Sequence, residues 1–288
     1  MADIEIKILD IAKLKNLPAL PEESSHILAA INDPDIELDN LVRIISSSPI
    51  LVARLLALAN SAYFGYAGKI TDLRIAVINV LGLKLVKSLS LSVLLNITLD
   101  SSQCHQFNAE RFWHNALLTA VCAQKIAQLL KRQDLDPALL YTAGILLDIG
   151  LLAAVCVYPT AMNSLFLQEQ KTSEPLGKLM AHHYATDQYI IGGYLLRSWQ
   201  LPIAFQQITN HYLDTDYSGD ELPAIVLLKI ASLLVKMINE NCDAVIDPNM
   251  IDLLAFLELK PTQLLSIKTE VALQMDDFKL LVQTLISQ

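Results

Sequence analysis

The stretch Gly144-Ile-Leu-Leu-Asp-Ile-Gly150 places one carboxylate, that of Asp148, in an apolar run bounded by two glycines. Asp136-Pro137 precedes it and has the form of a helix start, since aspartate caps free N–H groups and proline suits the first helical position. We therefore expect the helix that begins at Pro137 to carry Asp148. The residue before it, Leu147, has an alkyl side chain without a lone pair, so it has nothing to offer a cation.

Similar helix starts recur along the chain and predict about a dozen helices. Ser48-Pro49, Thr71-Asp72, Asp247-Pro248 and Lys260-Pro261 each precede an apolar run. Only 9 glycines occur among 288 residues, and the long stretches rich in Leu, Ala, Ile, Lys and Gln favour helices over strands. The sequence therefore predicts an all-α fold.

The character of the chain changes near Asp100-Ser-Ser-Gln-Cys104, although no linker rich in Gly, Pro or Ser divides it. We predict two packed helical lobes. Residues 1–100 form the N-terminal lobe, and residues 101–288 form the second lobe together with the C-terminal helices.

Net charge and hydropathy indicate which partners the protein is expected to bind and where in the cell it is expected to lie. The formal net charge of -9 repels phosphate backbones, so nucleic acid is not an expected partner. Residues 149–168 contain no charge and are long enough to span a membrane, but Pro159 and the polar residues after it favour a buried helix followed by a second one. The N-terminus does not have the pattern of a signal peptide, and the four cysteines lie far apart. We expect a cytoplasmic protein without membrane contact.

A series of short motifs resembles one family of bacterial signalling modules, the HDOD family ("HD-related output domain"), over about residues 15–215. These motifs are Leu17-Pro-Ala-Leu-Pro21, Ser48-Pro49, Leu58-Ala-Asn-Ser-Ala-Tyr-Phe-Gly65, Phe112-Trp-His114, Ala143-Gly144 with Asp148-Ile-Gly150, and the stretch from Gly192 to Pro202. The resemblance implies a multi-helical bundle of the HD-domain or phosphodiesterase-like type. It also implies kinship with metal-dependent HD phosphohydrolases, in a family often without hydrolytic residues.

An HD-type metal site needs imidazoles and carboxylates that converge on a cation, and the resemblance identifies the corresponding positions. His114 and Asp148 are retained. At the family's other ligand positions the residues differ. The chain has Leu147, Gln188 and Ser232 at three of them, and His211-Tyr212 where the family has two consecutive histidines. These seven positions are thus expected to be vestigial, with no metal, no cofactor and no catalytic residue. A buried His114 that bonds a carboxylate such as Asp148 explains that histidine equally well.

The segment Asn60-Ser-Ala-Tyr-Phe-Gly-Tyr66 has two interpretations. It is a helix terminus whose polar residues bond free carbonyls and whose aromatics pack inward. Alternatively, Asn60, Ser61, Tyr63, Phe64 and Tyr66 belong to a surface that binds a partner, because amphipathic aromatics are favoured anchors in interfaces.

Three arginines interrupt apolar helices of the N-terminal part, namely Arg43, Arg54 and Arg74. Each either pairs with a carboxylate to orient its helix or holds a phosphate bidentately.

The main hypothesis is a non-catalytic signal-transduction protein that acts by protein–protein contacts. Two alternatives stay open. One is a metal-dependent phosphohydrolase that uses His114, Asp148 and His211 as a reduced site. The other is a metal-free sensor that holds a small phosphorylated ligand, such as a nucleotide, in the former active-site cavity.

Overall fold

The computed structural model describes residues 22–33, 35–61, 64–241 and 248–286, and within these ranges it contains helices and no strand, which confirms the all-α prediction. The helices are α1 Glu22–Asn32, α2 Leu38–Ile45, α3 Pro49–Ala59, α4 Leu73–Ala76, α5 Gly82–Thr98, α6 Ala109–Leu130, α7 Pro137–Leu146, α8 Ile149–Val157, α9 Pro159–Thr172, α10 Leu176–Tyr184, α11 Gln188–Ser198, α12 Ile203–Asn210, α13 Leu222–Asn239, α14 Pro248–Phe256, α15 Pro261–Ala272 and α16 Met275–Ile286. A π-helical segment, Val77–Leu81, follows α4.

The predicted start signals lie at real helix starts. Pro49, Pro137 and Pro261 are the first residues of α3, α7 and α15. The Asp136 carboxylate accepts a hydrogen bond from the N–H of Ala138, as expected of a residue that precedes a helix. One detail of the prediction is wrong, because α7 ends at Leu146 and does not reach Asp148.

The chain divides into two sets of residues with dense internal packing. In the described ranges, unit 1 contains residues 98–109 and 146–217, and unit 2 contains residues 22–97, 110–145 and 218–286. The units interleave along the chain, so they do not correspond one for one to the predicted lobes 1–100 and 101–288. That division into successive domains stays a prediction.

Within unit 1, α11 packs against both α8 and α12 through glycines. A Cβ atom built on Gly150 of α8 would lie 1.9 Å from the carbonyl oxygen of Gln188 and 2.3 Å from the nitrogen of Gly192, both in α11. A Cβ atom on Gly192 would lie 2.8 Å from the methyl group of Thr209 in α12. Only hydrogen fits at these positions, and the close approach fixes the first turn of α11 against the start of α8.

Within unit 2, hydrogen bonds hold the C-terminal end of α16 to earlier helices. The Arg54 guanidinium of α3 donates to the carbonyl of Leu285 at 2.7 Å, which satisfies a carbonyl that the helix end leaves without an intrahelical partner. Asn96 of α5 donates to the same carbonyl at 3.5 Å and accepts from the indole N–H of Trp113 in α6 at 3.0 Å. Arg54 therefore has a structural role through a backbone carbonyl instead of the expected carboxylate.

Among the described residues, three helical segments are long and apolar enough to cross a membrane, namely Leu73–Asn96, Pro137–Val157 and Leu222–Asn239. The most apolar, Pro137–Val157, is also the most buried, with 72% of its apolar window inside the protein. Surface that protein already covers is not available to lipid, so this packing favours core helices. The expected absence of membrane contact stays a prediction.

The glycine contact between α8 and α11 gives a first testable prediction. Gly150→Ala is expected to destabilise the protein by roughly 3 kcal/mol or more, because the new methyl group meets backbone that cannot move aside without separating the helices. Gly177→Ala is the matched control, since the nearest atoms to its Cβ would belong to the Gln188 side chain, whose oxygen would lie at 3.2 Å, and none would be backbone. Urea unfolding of both variants measures the difference. Equal stabilities would contradict the assigned role of Gly150.

Candidate functional site

Asp148 lies in the turn between α7 and α8, immediately before the first residue of α8. Its side chain does not cap that helix. Instead, the side chains of Gln188 and Tyr189, in the first turn of α11, lie within hydrogen-bonding reach of the carboxyl group and lower its pKa. The amide and the phenol that act on Asp148 belong to the same unit.

The first turn of α11 is itself held by the residue before it. The Asp187 carboxylate accepts hydrogen bonds from the backbone N–H groups of Tyr189 at 2.7 Å and Ile190 at 2.9 Å. This N-cap satisfies two donors that the helix start would otherwise leave free. It fixes the backbone from which Gln188 and Tyr189 reach Asp148.

Burial dominates the electrostatics of this cluster. It raises the pKa of Asp148 to about 6, and the hydrogen bonds from Gln188 and Tyr189 oppose that rise. Part of the residue reaches solvent, but protein surrounds the carboxyl group itself. Burial, followed by the charge of Asp148 and by Tyr212, raises the pKa of Tyr189 well above the ordinary value for tyrosine. The rings of Tyr189 and Tyr212 lie 4.5 Å apart.

His211, at the end of α12, uses both of its ring nitrogens within unit 1. Nδ1 lies 3.0 Å from the Asp214 carboxylate, and Nε2 lies 3.4 Å from the side-chain nitrogen of Asn210. With Nδ1 as donor and Nε2 as acceptor, one neutral tautomer satisfies both contacts. The ring also stacks on Tyr217 at 4.4 Å. Neither nitrogen is therefore free for a cation, which counts against His211 as a ligand.

Two further polar groups lie near this cluster along the chain, one on Thr186, which the sequence did not single out, and one on Gln188, which it did. The hydroxyl of Thr186 and the side-chain oxygen of Gln188 are buried and make no hydrogen bond among the described residues. Sequence reasoning had also missed Tyr189. The signal that could have found these residues is the Thr-Asp-Gln-Tyr run, because aspartate before an apolar helix marks an N-cap and places its neighbours in the first turn.

The two remaining positions that the resemblance identified, His114 and Ser232, belong to unit 2. His114 lies in α6 with its Nε2 atom buried and without a hydrogen-bond partner in the described part of the chain. The expected carboxylate partner is therefore absent at this nitrogen. Burial lowers the pKa of the His114 imidazole. Ser232 lies half-buried in α13.

The residues present do not fit a catalytic cation. Across residues 22–33, 35–61, 64–241 and 248–286, no group of three or more His, Cys, Asp and Glu side chains could hold a metal ion. Leu147, which stands where the family has a histidine, is buried and offers no donor atom. The groups that act on the Asp148 carboxyl are an amide and a phenol, and neither an imidazole nor a second carboxylate is among them.

The predicted surface segment is partly a helix terminus. The Asn60 side chain donates to the carbonyls of Leu56 and Ile70, at 2.7 and 2.8 Å, and accepts from the N–H of Ile70 at 2.8 Å. This clamp ties the following loop to the end of α3. The hydroxyl of Ser61 is buried, Phe64 is half-buried and Tyr66 is exposed, whereas Tyr63 lies outside the described residues.

The raised pKa of Asp148 gives a second prediction. Its unfolded value is about 3.9, so the folded protein retains the proton more tightly between about pH 4 and pH 6. The associated stability is present below pH 4 and is lost as pH rises through 6. Relative to Asp148→Asn, the wild-type free energy of unfolding is expected to fall by roughly 2 kcal/mol from pH 4 to pH 7.

Chemical denaturation of the two proteins at several pH values tests this expectation. Asp252→Asn, which removes one exposed carboxyl group, controls for the change in net charge. A stability difference between wild type and Asp148→Asn that does not vary with pH would show that the carboxyl is not desolvated.

Comparison with known proteins identifies the family to which the chain is similar. The HDOD domain model matches residues 17–214. A structure of an HDOD domain protein of unknown function from Geobacter sulfurreducens aligns at 20% identity with a TM-score of 0.75, over 96% of this chain and 98% of that one. A proposed phosphohydrolase from Shewanella amazonensis SB2B aligns at 20% identity with a TM-score of 0.78, over 96% and 97% of the two chains.

A curated relative matches this chain over part of its own length. An uncharacterized protein of Treponema pallidum (strain Nichols) is 26% identical over 228 residues, which are 79% of this chain and 44% of the relative. The chain thus spans less than half the length of that protein. Because the family match covers well over half of the sequence, the chain belongs to the HDOD family, which is related to the HD phosphohydrolases.

Proposed function

We propose that this HDOD protein is a non-catalytic regulatory component of bacterial signal transduction that acts by contacts with other proteins. The observation that supports the proposal is the bonding of Asp148. Its carboxyl group interacts with the side chains of Gln188 and Tyr189. The residue before it is Leu147, whose alkyl side chain cannot bind a cation. A catalytic HD site would need that carboxyl and an adjacent imidazole on a cation that activates water.

In this proposal, the region that corresponds to the metal site of HD phosphohydrolases has a structural role. The Asp148 carboxyl lies at the start of α8 and its two donors lie at the start of α11, which are the helices that Gly150 and Gly192 bring together. The hydrogen bonds therefore act across the same helix contact as the glycines. Their role is to fix one helix against the other in a single register.

The residues of unit 1 give less support to a metal-dependent hydrolase or to a sensor of a phosphorylated ligand than to the main proposal. A reduced metal site needs a free nitrogen on His211, and both of its nitrogens are already bonded. A phosphorylated ligand at this position would meet the Asp148 carboxyl, and the unpartnered side-chain oxygen of Gln188 is an acceptor. Acceptors and a carboxylate repel a phosphate, which needs donors. The proposal also includes a cytoplasmic location, as the sequence suggests.

The candidate contact surface is in unit 2, in the loop and helix that follow α3. Large apolar side chains are exposed there, with relative exposures of 41% for Tyr66, 46% for Ile75 and 55% for Ile78. The Asn60 clamp holds the loop to α3, so Tyr66 is presented from a fixed backbone. Exposed aromatic and aliphatic residues on a rigid support are typical of protein-binding surfaces.

Hydrolase assays test the non-catalytic part of the proposal. The full chain, supplied separately with Mn²⁺, Fe²⁺, Ni²⁺, Co²⁺ or Mg²⁺, is expected to hydrolyse p-nitrophenyl phosphate and bis(p-nitrophenyl) phosphate no faster than Asp148→Asn. A metal-dependent rate that Asp148→Asn abolishes, while its unfolding curve stays in the range of the wild type, would establish an enzyme and overturn the proposal.

Photocrosslinking tests the contact surface. A benzophenone amino acid at position 66, introduced in the native host, is expected to give discrete adducts with another protein. The same group at position 273, where Leu273 is 84% exposed, is the control and should give none of these adducts. Tyr66→Ala should reduce recovery of the same partner with little change in melting temperature, since the side chain is exposed. Adducts that are the same from both positions would refute the assignment of this surface.

A further inference from the structure

A groove between α1 and α2 of unit 2 has the size and the polar groups of a ligand site. Its volume is about 560 Å³, within the range of small-molecule sites. Its lining includes His26, Ala29, Asp33, Arg43, Ile44 and Ser47. Alanine and isoleucine give it apolar surface, and a guanidinium and an imidazole give it hydrogen-bond donors.

Arg43 differs from the two other arginines that the sequence singled out. The Arg74 guanidinium pairs with the Asp39 carboxylate at 2.7 Å, and Arg54 bonds the carbonyl of Leu285. Arg43 is exposed, and its contact in the described part of the chain is a 3.3 Å hydrogen bond to the side-chain oxygen of Asn40. Most of its five donors are thus available to a molecule in the groove.

The other polar groups of the groove are partly engaged. The Ser47 hydroxyl donates to the carbonyl of Ile44, so its oxygen is left as an acceptor. One Asp33 carboxylate oxygen accepts from the N–H of Asp35, and the Asp33 carbonyl accepts from the Lys87 ammonium. The positive charge of Lys87 close to Asp33 partly balances the carboxylate, which would otherwise oppose an anion.

We propose that this groove binds a small organic anion. Its phosphate or carboxylate group pairs with the Arg43 guanidinium, which can bond both kinds of group through two parallel N–H donors. Its apolar part lies against Ala29 and Ile44. The proposal is independent of the contact surface around Tyr66 and of the catalytic state of the Asp148 cluster, so each can fail without the other.

Titration of the ¹⁵N-labelled full chain, followed by amide chemical shifts, tests the site. Phenyl phosphate and benzoate are the anionic probes, phenol is the neutral probe and inorganic phosphate lacks the apolar part. Saturable shifts are expected in α1 and α2 with either anionic probe, at a Kd on the order of 1 mM for fragments of this size. Phenol and inorganic phosphate should bind more weakly.

Three variants assign the interaction. Arg43→Gln should weaken binding of the anionic probes by roughly tenfold or more, since a hydrogen-bonded charge is lost. Arg43→Lys keeps the charge but loses the paired donors, so an intermediate effect is expected. Arg74→Gln removes an equal charge that is already paired and should leave binding unchanged.

Other outcomes would overturn the proposal. Shifts outside α1 and α2, or an equal loss in Arg43→Gln and Arg74→Gln, would indicate a general charge effect. Binding of phenol as tightly as phenyl phosphate would mean that the anion is not recognised. Comparison of phenyl phosphate with benzoate then shows which anionic group the groove prefers.

Discussion

Two helices of this protein meet at a distance that excludes even a methyl group, and the candidate site depends on that contact. Gly150 of α8 lies against the backbone of α11 at Gln188 and Gly192, and Gly192 lies in turn against Thr209 of α12. Three helices are thus packed in sequence through small residues. Any larger side chain at Gly150 would push the start of α11 away from the turn that carries Asp148, and the hydrogen bonds from Gln188 and Tyr189 would be lost with it.

Under the proposed function, the same contact holds the helices together without a metal ion. In an HD hydrolase the cation links ligands from several helices, and its charge offsets the buried carboxylate. Here an amide and a phenol from α11 act on the carboxylate in the turn before α8. Burial raises the pKa of Asp148 to about 6, and the hydrogen bonds from Gln188 and Tyr189 oppose that rise. The fold is that of a family related to the HD phosphohydrolases.

Local signals in the sequence were sufficient for the helices and for part of the site. Proline and aspartate start signals placed α3, α7 and α15, because capping depends on a few adjacent residues. The position of Asp148 in a turn was not predicted, since an apolar run does not show where a helix ends. Tyr189 was missed for another reason. Its importance comes from its proximity to Asp148, about 40 residues earlier in the chain, and no local pattern encodes that distance.

The retained carboxylate is better explained by specificity than by stability. Near pH 7 a group with a pKa of about 6 is mostly ionised, so the folded protein holds a buried negative charge that two hydrogen bonds only partly compensate. A well-packed apolar side chain at position 148 would avoid this desolvation, as buried polar groups often lower stability relative to apolar ones of similar size. Because apolar contacts have no direction, such a side chain would also allow α11 to pack in several registers. Asp148 instead requires Gln188 and Tyr189 in one arrangement, and Asp187 fixes the turn from which they reach it. The cluster therefore selects one register of α8 on α11.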